Sequence, residues 1–484
     1  MIVRRATHRV RSVLAAVASL ALGFVGAAGC SDGAAAVVTT THREAGSSPE
    51  AGVVDAGSRP VTDAGSPPVT DAGRPPLADA SGPIAATMND VSILFPLPSS
   101  ASELDSLLAP TAAGSQGVLL PSSLYASMGT ISGTTAGVDG GGISGMSARY
   151  SDLRVVAMRI DPCFASLDPD PHGAGCTAQL RLVFQQVTWG ADASTTFDSA
   201  LHAFYDLTRP QFLALAQALV ALRIANQSGD AGGPLAPHPI IVRQGLDGAM
   251  SMGVQRLILQ YAGEKNLVRL AQLSTLINEL AALWTMSAFD VASGALAATP
   301  RPIATLATGD GGSIYEEGVS VSFGSGPGVF HHDAGGVDAG PPTFAAGFGP
   351  TTATQDDYAL LDDGHADGLS VSERQTAFDA LVRVENPRDN SPNTVDCGSC
   401  HFATPTEKLV ALPLFALDDT ASSLAFQPDG VSVTAADMGA TYDAQMDGPV
   451  NLHAFSYFGT LPGISQRVVN ETAAVVEYLN DLSP

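Results

Sequence analysis

Cys397-Gly398-Ser399-Cys400-His401 is the one place in the chain where two thiols and an imidazole fall within five residues. Two cysteines three apart, followed at once by histidine, form the attachment sequence of a c-type haem. The thiols add across the vinyl groups of the porphyrin, and the adjacent imidazole takes the iron. The motif therefore predicts haem c, with Cys397 and Cys400 as thioether positions and His401 as the proximal iron ligand. Two other uses of these residues compete with that reading. Dithiol or disulfide exchange without haem expects C-x-x-C beside a βαβ pattern, whereas here a proline-bearing loop precedes the motif and histidine follows it. A zinc site would need adjacent ligands at Cys400 and His401, which strain a tetrahedral cage, and a fourth ligand is not evident.

The sixth iron position must be filled from elsewhere. Met446 and Met438 lie downstream within reach of a small haem pocket, and a thioether favours ferrous iron and raises the potential. Their alternative use is as core residues, since methionine fills gaps readily. His453 would instead give a lower-potential bis-histidine site, and an open or water-bound position would suit ligand sensing. His172, His202 and His238 are far apart in sequence, without metal-ligand spacing, and read as structural or exposed. Trp189 and Trp284 read as packing residues. Asp363 to Glu373 is one residue short of a calcium loop and reads as a solvated acidic turn before a helix.

A haem of this kind is attached outside the cytosol, and the start of the chain fits that. Arg4, Arg5, Arg9 and Arg11 precede an apolar run from Val13 to Ala28, the order of a secretory signal. The run is too short and too rich in Ala and Gly for a membrane span. It ends at Ala27-Ala28-Gly29-Cys30, which resembles a bacterial lipobox, so Cys30 is expected to carry lipid after removal of residues 1–29. Cys163 and Cys176 remain, and an oxidising compartment favours a disulfide between them. They flank a turn between two strand-like runs, where such a bridge contributes about 3 kcal/mol.

The chain carries 48 acids against 23 Lys and Arg, a net charge of -25, and loss of the signal removes four arginines more. Such a surface repels nucleic acid and anionic lipid head groups. Membrane contact then rests on the acyl anchor, and a charged redox partner is expected to be basic. The expected location is the cell envelope, facing the periplasm or the cell surface.

The elements that must position the motif divide as follows. Residues 30–84 repeat Asp-Ala-Gly among Pro and Ser and form a tether that cannot offset its own ordering entropy. Residues 85–323 suit one α+β domain. Strands are expected at Val91–Leu97, Leu153–Ile160, Leu180–Val187 and Arg256–Tyr261. Helices are expected at Phe197–Leu207, at Asn266–Leu283 and after the capping box Thr208-Arg209-Pro210-Gln211. No P-loop, dinucleotide fingerprint or hydrolase elbow occurs. Residues 324–345 form a low-complexity linker or loop. In 346–484 a capping box, Ser370 to Glu373, opens a helix that Asn386-Pro387 stops. The stripe Ile464, Val468, Thr472, Val475, Val476 and Leu479 marks a terminal helix.

A helix before the motif and an amphipathic helix closing the chain resemble class I c-type cytochromes, in which two helices cross over the haem. The resemblance covers the last 120 or so residues. It implies a small, mainly helical C-terminal domain beside the β-rich one. About eleven residues separate the first helix from Cys397, where the family runs almost straight in. The export signal, spacer and single motif together are similar to cell-envelope lipoproteins of myxobacteria. The leading expectation is a lipoprotein that passes one electron at a time or senses redox state; a single haem disfavours a self-contained multi-electron enzyme. The alternatives are a surface ligand-binding lipoprotein with an accessory haem, or a haem-free C-x-x-C protein.

Overall fold

The structure is a computed structural model. It describes residues 84–132, 149–163, 177–190, 193–196, 199–227, 232–277, 282–296, 316–322, 329–334, 369–389, 397–430, 433–441 and 452–482. All of these belong to one compact unit, Leu77–Pro484. The fold is α+β. The segments 85–323 and 346–484, separated as two domains in the sequence, lie within that one unit and share a hydrophobic core.

Eight strands run through the sheet in spatial order equal to chain order, each antiparallel to the next. They are β1 (Ser92–Leu94), β2 (Leu153–Asp161), β3 (Ala178–Trp189), β4 (Ser199–Leu207), β5 (Leu267–Ile277), β6 (Ala282–Ala292), β7 (Glu316–Ser322) and β8 (Val329–Ala334). Two short strands, Ser194–Thr196 on β3 and Ala295–Leu296 on β6, complete a ten-stranded sheet. Between β4 and β5 the chain leaves the sheet to form helices α1 (Arg209–Asn226) and α2 (Ala249–Tyr261).

Several expected elements changed type, each for a reason that the burial makes plain. Phe197–Leu207 holds strand β4 rather than a helix. Leu201, Ala203, Tyr205 and Leu207 are buried while His202, Phe204 and Asp206 are half-buried, a period of two. Asn266–Leu283 holds β5 and the start of β6, because sheet pairing on both sides outweighs a helical reading of an apolar run. Arg256–Tyr261, expected as a strand, is the last part of α2, whose buried stripe Met250, Val254 and Ile258 keeps four-residue spacing. Val91–Leu97 contributes a strand only at Ser92–Leu94, after a helical turn at Met88–Val91.

Helix α1 starts as its capping box requires: the Gln211 amide donates to Thr208 Oγ1, and Gln211 Oε1 accepts from the Thr208 amide. It packs against β2, β3 and β4. Gly253 sets its approach to α2, since a β-carbon there would fall 2.4 Å from Leu222 Cδ1. Leu180, Leu182 and Phe184 of β3 are fully buried, and the residues alternating with them face the C-terminal part of the chain.

That C-terminal part holds α3 (Val371–Val384), α4 (Cys397–Thr406), the hairpin β9 (Phe455–Phe458) and β10 (Leu461–Ile464), and α5 (Gln466–Asp481). Gln185 of β3 donates from Nε2 to the Tyr457 carbonyl and accepts at Oε1 from the Tyr457 amide, both at 2.8 Å. Ser92 and Thr472 share a hydrogen bond of 2.7 Å. Beside them a buried charge cluster forms. Glu471 of α5 receives Arg159 at 2.6 Å and Arg467 at 2.7 Å, with Arg181 at 3.8 Å, and Arg181 also pairs with Asp161. Burial works against the Glu471 charge, but Arg467, Arg159 and Arg181 together hold its carboxyl far below the usual carboxylate range.

Cys163, just past β2, is disulfide-bonded. It follows the last β2–β3 pair, Asp161 with Gln179. Cys176 lies outside the described residues, as do Cys30, Met446, His172, the tether, the low-complexity segment 335–345 and the acidic turn 363–368.

Candidate functional site

The motif falls on the first turns of α4, with Cys397 as the first helical residue. Positions 397, 400 and 401 stand at i, i+3 and i+4, so they share one side of the helix. Two neighbours hold that helix in place. The Thr404 hydroxyl, one turn beyond the motif, donates to Glu385 Oε1 at 2.6 Å at the end of α3. Thr404 Oγ1 in turn accepts from the Gln466 amide at 2.8 Å, at the start of α5. Asn470 Nδ2 donates to the Glu385 carbonyl, and Arg467 donates to the Val384 carbonyl. Thr404 and Glu385 are both buried, so the node fixes α3, α4 and α5 to one another where water cannot compete.

The half-buried imidazole of His401 is oriented from the other side. Its Nδ1 donates to the Leu452 carbonyl at 2.6 Å, just before the β9–β10 hairpin. A carbonyl oxygen only accepts, so the proton sits on Nδ1 and the lone pair on Nε2. A backbone carbonyl on Nδ1 is a common device for aiming Nε2 at a metal. Cys400 is likewise half-buried.

Two further histidines gather near His401, and the sequence separated all three. His202 comes from β4, its ring centre 5.8 Å from that of His401 and the two planes 85° apart. Burial first, then the charges of His401, Arg159, Arg181 and His453, hold its pKa well below the ordinary histidine value. His453 follows Leu452 and is buried, with Nδ1 2.7 Å from Ser456 Oγ. Burial, with His401 nearby, lowers its pKa to about 3. Both rings are therefore neutral near pH 7, the form that donates a lone pair.

Met438 is placed differently. Its side chain packs against the core, and its carbonyl accepts from Gln466 Nε2 at 2.6 Å. It lines a cavity of about 380 Å³ with Glu385, Lys408, Phe426, Gln466 and Asn470. Neither His401 nor His202 is among the described residues lining that cavity. Trp189 lines a separate cavity of about 320 Å³ with Tyr457 and prolines 96, 98, 237 and 462. His238 caps a short helix, Pro239–Gln244, accepting from the Ile241 amide at 3.4 Å. Among the described residues, no group of three or more His, Cys, Asp or Glu is arranged to hold a metal ion by itself. No helix of the described residues is long and apolar enough to cross a membrane.

Sequence reading missed His202 because its segment was expected to be helical. Strand alternation through Leu201, Ala203 and Tyr205 was the signal that would have put its ring on the same sheet face as Arg181. No family model matches the chain, and no curated protein or solved structure matches it either.

Proposed function

We propose that this protein is an exported, lipid-anchored carrier of one covalently attached c-type haem, working by single-electron transfer or redox sensing in the cell envelope. The observation that supports this most is the hydrogen bond from His401 Nδ1 to Leu452. It puts the proton on Nδ1 and the lone pair on Nε2, the nitrogen that would bind iron, in a C-x-x-C-H motif on the first turns of a helix. Bound haem would supply a reversible one-electron couple. The chain's own contribution would be threefold: Cys397 and Cys400 as the thioether positions, His401 as the proximal ligand, and Thr404 with Glu385 holding α4 still.

The anchor would be lipid on Cys30, and the acidic chain would meet a basic partner with an encounter that salt weakens. The similarity to class I cytochromes belongs to this proposal. It rests on the motif and on a helix on either side of it. The haem-free dithiol reading is the competing use of Cys397 and Cys400, and the test below separates the two.

The test is the visible spectrum of protein exported by a strain able to attach haem. The proposal expects a reduced spectrum of thioether-bound haem that disappears in the double variant Cys397→Ala, Cys400→Ala. A colourless wild-type protein that carries a reversible dithiol would overturn it.

A further inference from the structure

We infer that His202 of strand β4 is the second axial ligand of the iron held by His401, an assignment that rests on the haem reading above. It differs from the downstream ligands expected from the sequence, because it takes the ligand from the sheet rather than from the chain that follows the motif.

Geometry carries the inference. Two imidazoles that bind one metal from opposite sides have ring centres on the order of 6 Å apart, with about 2 Å from metal to each nitrogen. His202 and His401 stand at 5.8 Å. Perpendicular ring planes are compatible with such a pair, because each imidazole turns freely about its own bond to the metal.

The residues that flank His202 across the sheet are small. Its cross-strand neighbours are Val183 on β3 and Ala271 on β5, and the same row continues to Ala157 on β2 and Ala288 on β6. Directly opposed residues project from the same face. Ala200, two residues earlier on β4, is on that face as well. The imidazole therefore stands above small neighbours on three sides, with Phe204 on the fourth. Neither nitrogen of His202 makes a hydrogen bond among the described residues, although the ring is half-buried.

The neighbouring row of the same face is cationic and aromatic. Arg159, Arg181, Phe204 and Arg269 lie side by side across four strands, with Arg181 and Arg269 packed over the Phe204 ring at 5.4 and 5.6 Å. Of the other candidates, Met438 lines the separate cavity, while the contact of His453 Nδ1 with Ser456 does not exclude its Nε2, so His453 is the competitor that the test must separate. Two nitrogen ligands also predict a lower potential than a histidine–methionine pair.

The test uses full-length protein exported from a haem-attaching host, with attachment scored first by haem that stays on the polypeptide after denaturation. In the wild type the inference expects a six-coordinate, low-spin ferric spectrum without a sulfur-to-iron charge-transfer band. His202→Ala should keep the attached haem, lose the low-spin signature, and regain it when free imidazole is added. His202→Met should remain low-spin with a potential shifted upward. Attached haem with an unchanged low-spin spectrum in His202→Ala would overturn the inference while leaving the haem reading intact. A sulfur band in the wild type would do the same, as would loss of the low-spin signature in His453→Ala instead. Absence of attached haem from the wild type overturns both.

Discussion

His401 and Leu452 are joined by a 2.6 Å hydrogen bond across 51 residues of sequence, from the ring Nδ1–H to a backbone carbonyl. That bond fixes the tautomer of the histidine and the direction of its remaining lone pair. Leu452 is itself buried at the foot of a hairpin that Gln185 of the central sheet holds from below. The orientation of one imidazole thus traces back through the hairpin to β3. The motif is not a loose appendage of the sheet but is aimed by it.

The charge cluster at Glu471 should be among the most sensitive points of the fold. Glu471→Gln removes the one carboxylate that Arg159, Arg181 and Arg467 share, and leaves buried guanidinium groups facing one another. Breaking a buried ion network from one side costs about 3–5 kcal/mol. Denaturant unfolding should show a loss of that size, and a change below about 1 kcal/mol would mean the cluster is wetter than its burial suggests.

Thr404→Val keeps the volume of the side chain but removes the hydroxyl between Glu385 and the Gln466 amide. Loss of a buried hydrogen-bond partner costs about 1–3 kcal/mol. The expected result is a lower melting temperature together with faster hydrogen exchange at the first turn of α5. A variant as stable as the wild type would show that the node is redundant.

His238 makes part of the stability depend on pH. Burial is the main cause that lowers its pKa to about 4, and Arg243 and Arg223 add to it, while a hydrogen bond to its own backbone works the other way. Between pH 6.5 and about 4 the unfolded chain takes up a proton that the folded chain refuses. Stability therefore falls as pH falls through this window, by about 1.4 kcal/mol per pH unit from this group. His238→Asn keeps an acceptor for the Ile241 amide without a titrating ring. Its unfolding free energy should drop less steeply than the wild type's from pH 6.5 to 4, and parallel curves would contradict the assignment.

The disulfide at Cys163 should pair with Cys176 across the β2–β3 connection. Peptide mapping without reduction should recover the two in one linked fragment, and Cys163→Ser should lower stability by about 2–4 kcal/mol. Recovery of Cys163 linked to any other cysteine would refute the pairing.

How much of this was legible in the sequence depended on whether a segment's pattern was local. Ser370 with Glu373, and Thr208 with Gln211, announce helix starts through bonds three residues apart, and both formed as read. The strands at 153–161 and 178–189 were plain from their apolar, β-branched runs. β4 and β5 were not, because Leu201 to Leu207 and Leu267 to Ile277 owe their form to each other across 59 intervening residues or more. The error propagated to the site. Reading β4 as a helix put His202 on an unknown surface, whereas the pairing of Phe204 with Arg181 and Arg269 sets it beside His401. The motif itself could be read directly, because cysteines at i and i+3 with histidine at i+4 carry their chemistry in their spacing. Its partners in space could not, since Leu452 and His202 reach it only through the tertiary fold.

The most direct test of the central claim is the intact mass of the native polypeptide, measured after export from a host in which a control cytochrome matures. The account predicts the mass of the processed chain plus one haem, retained after denaturation and lost when Cys397 and Cys400 are both replaced by alanine. The mass of the bare chain, with the control fully matured, would contradict it.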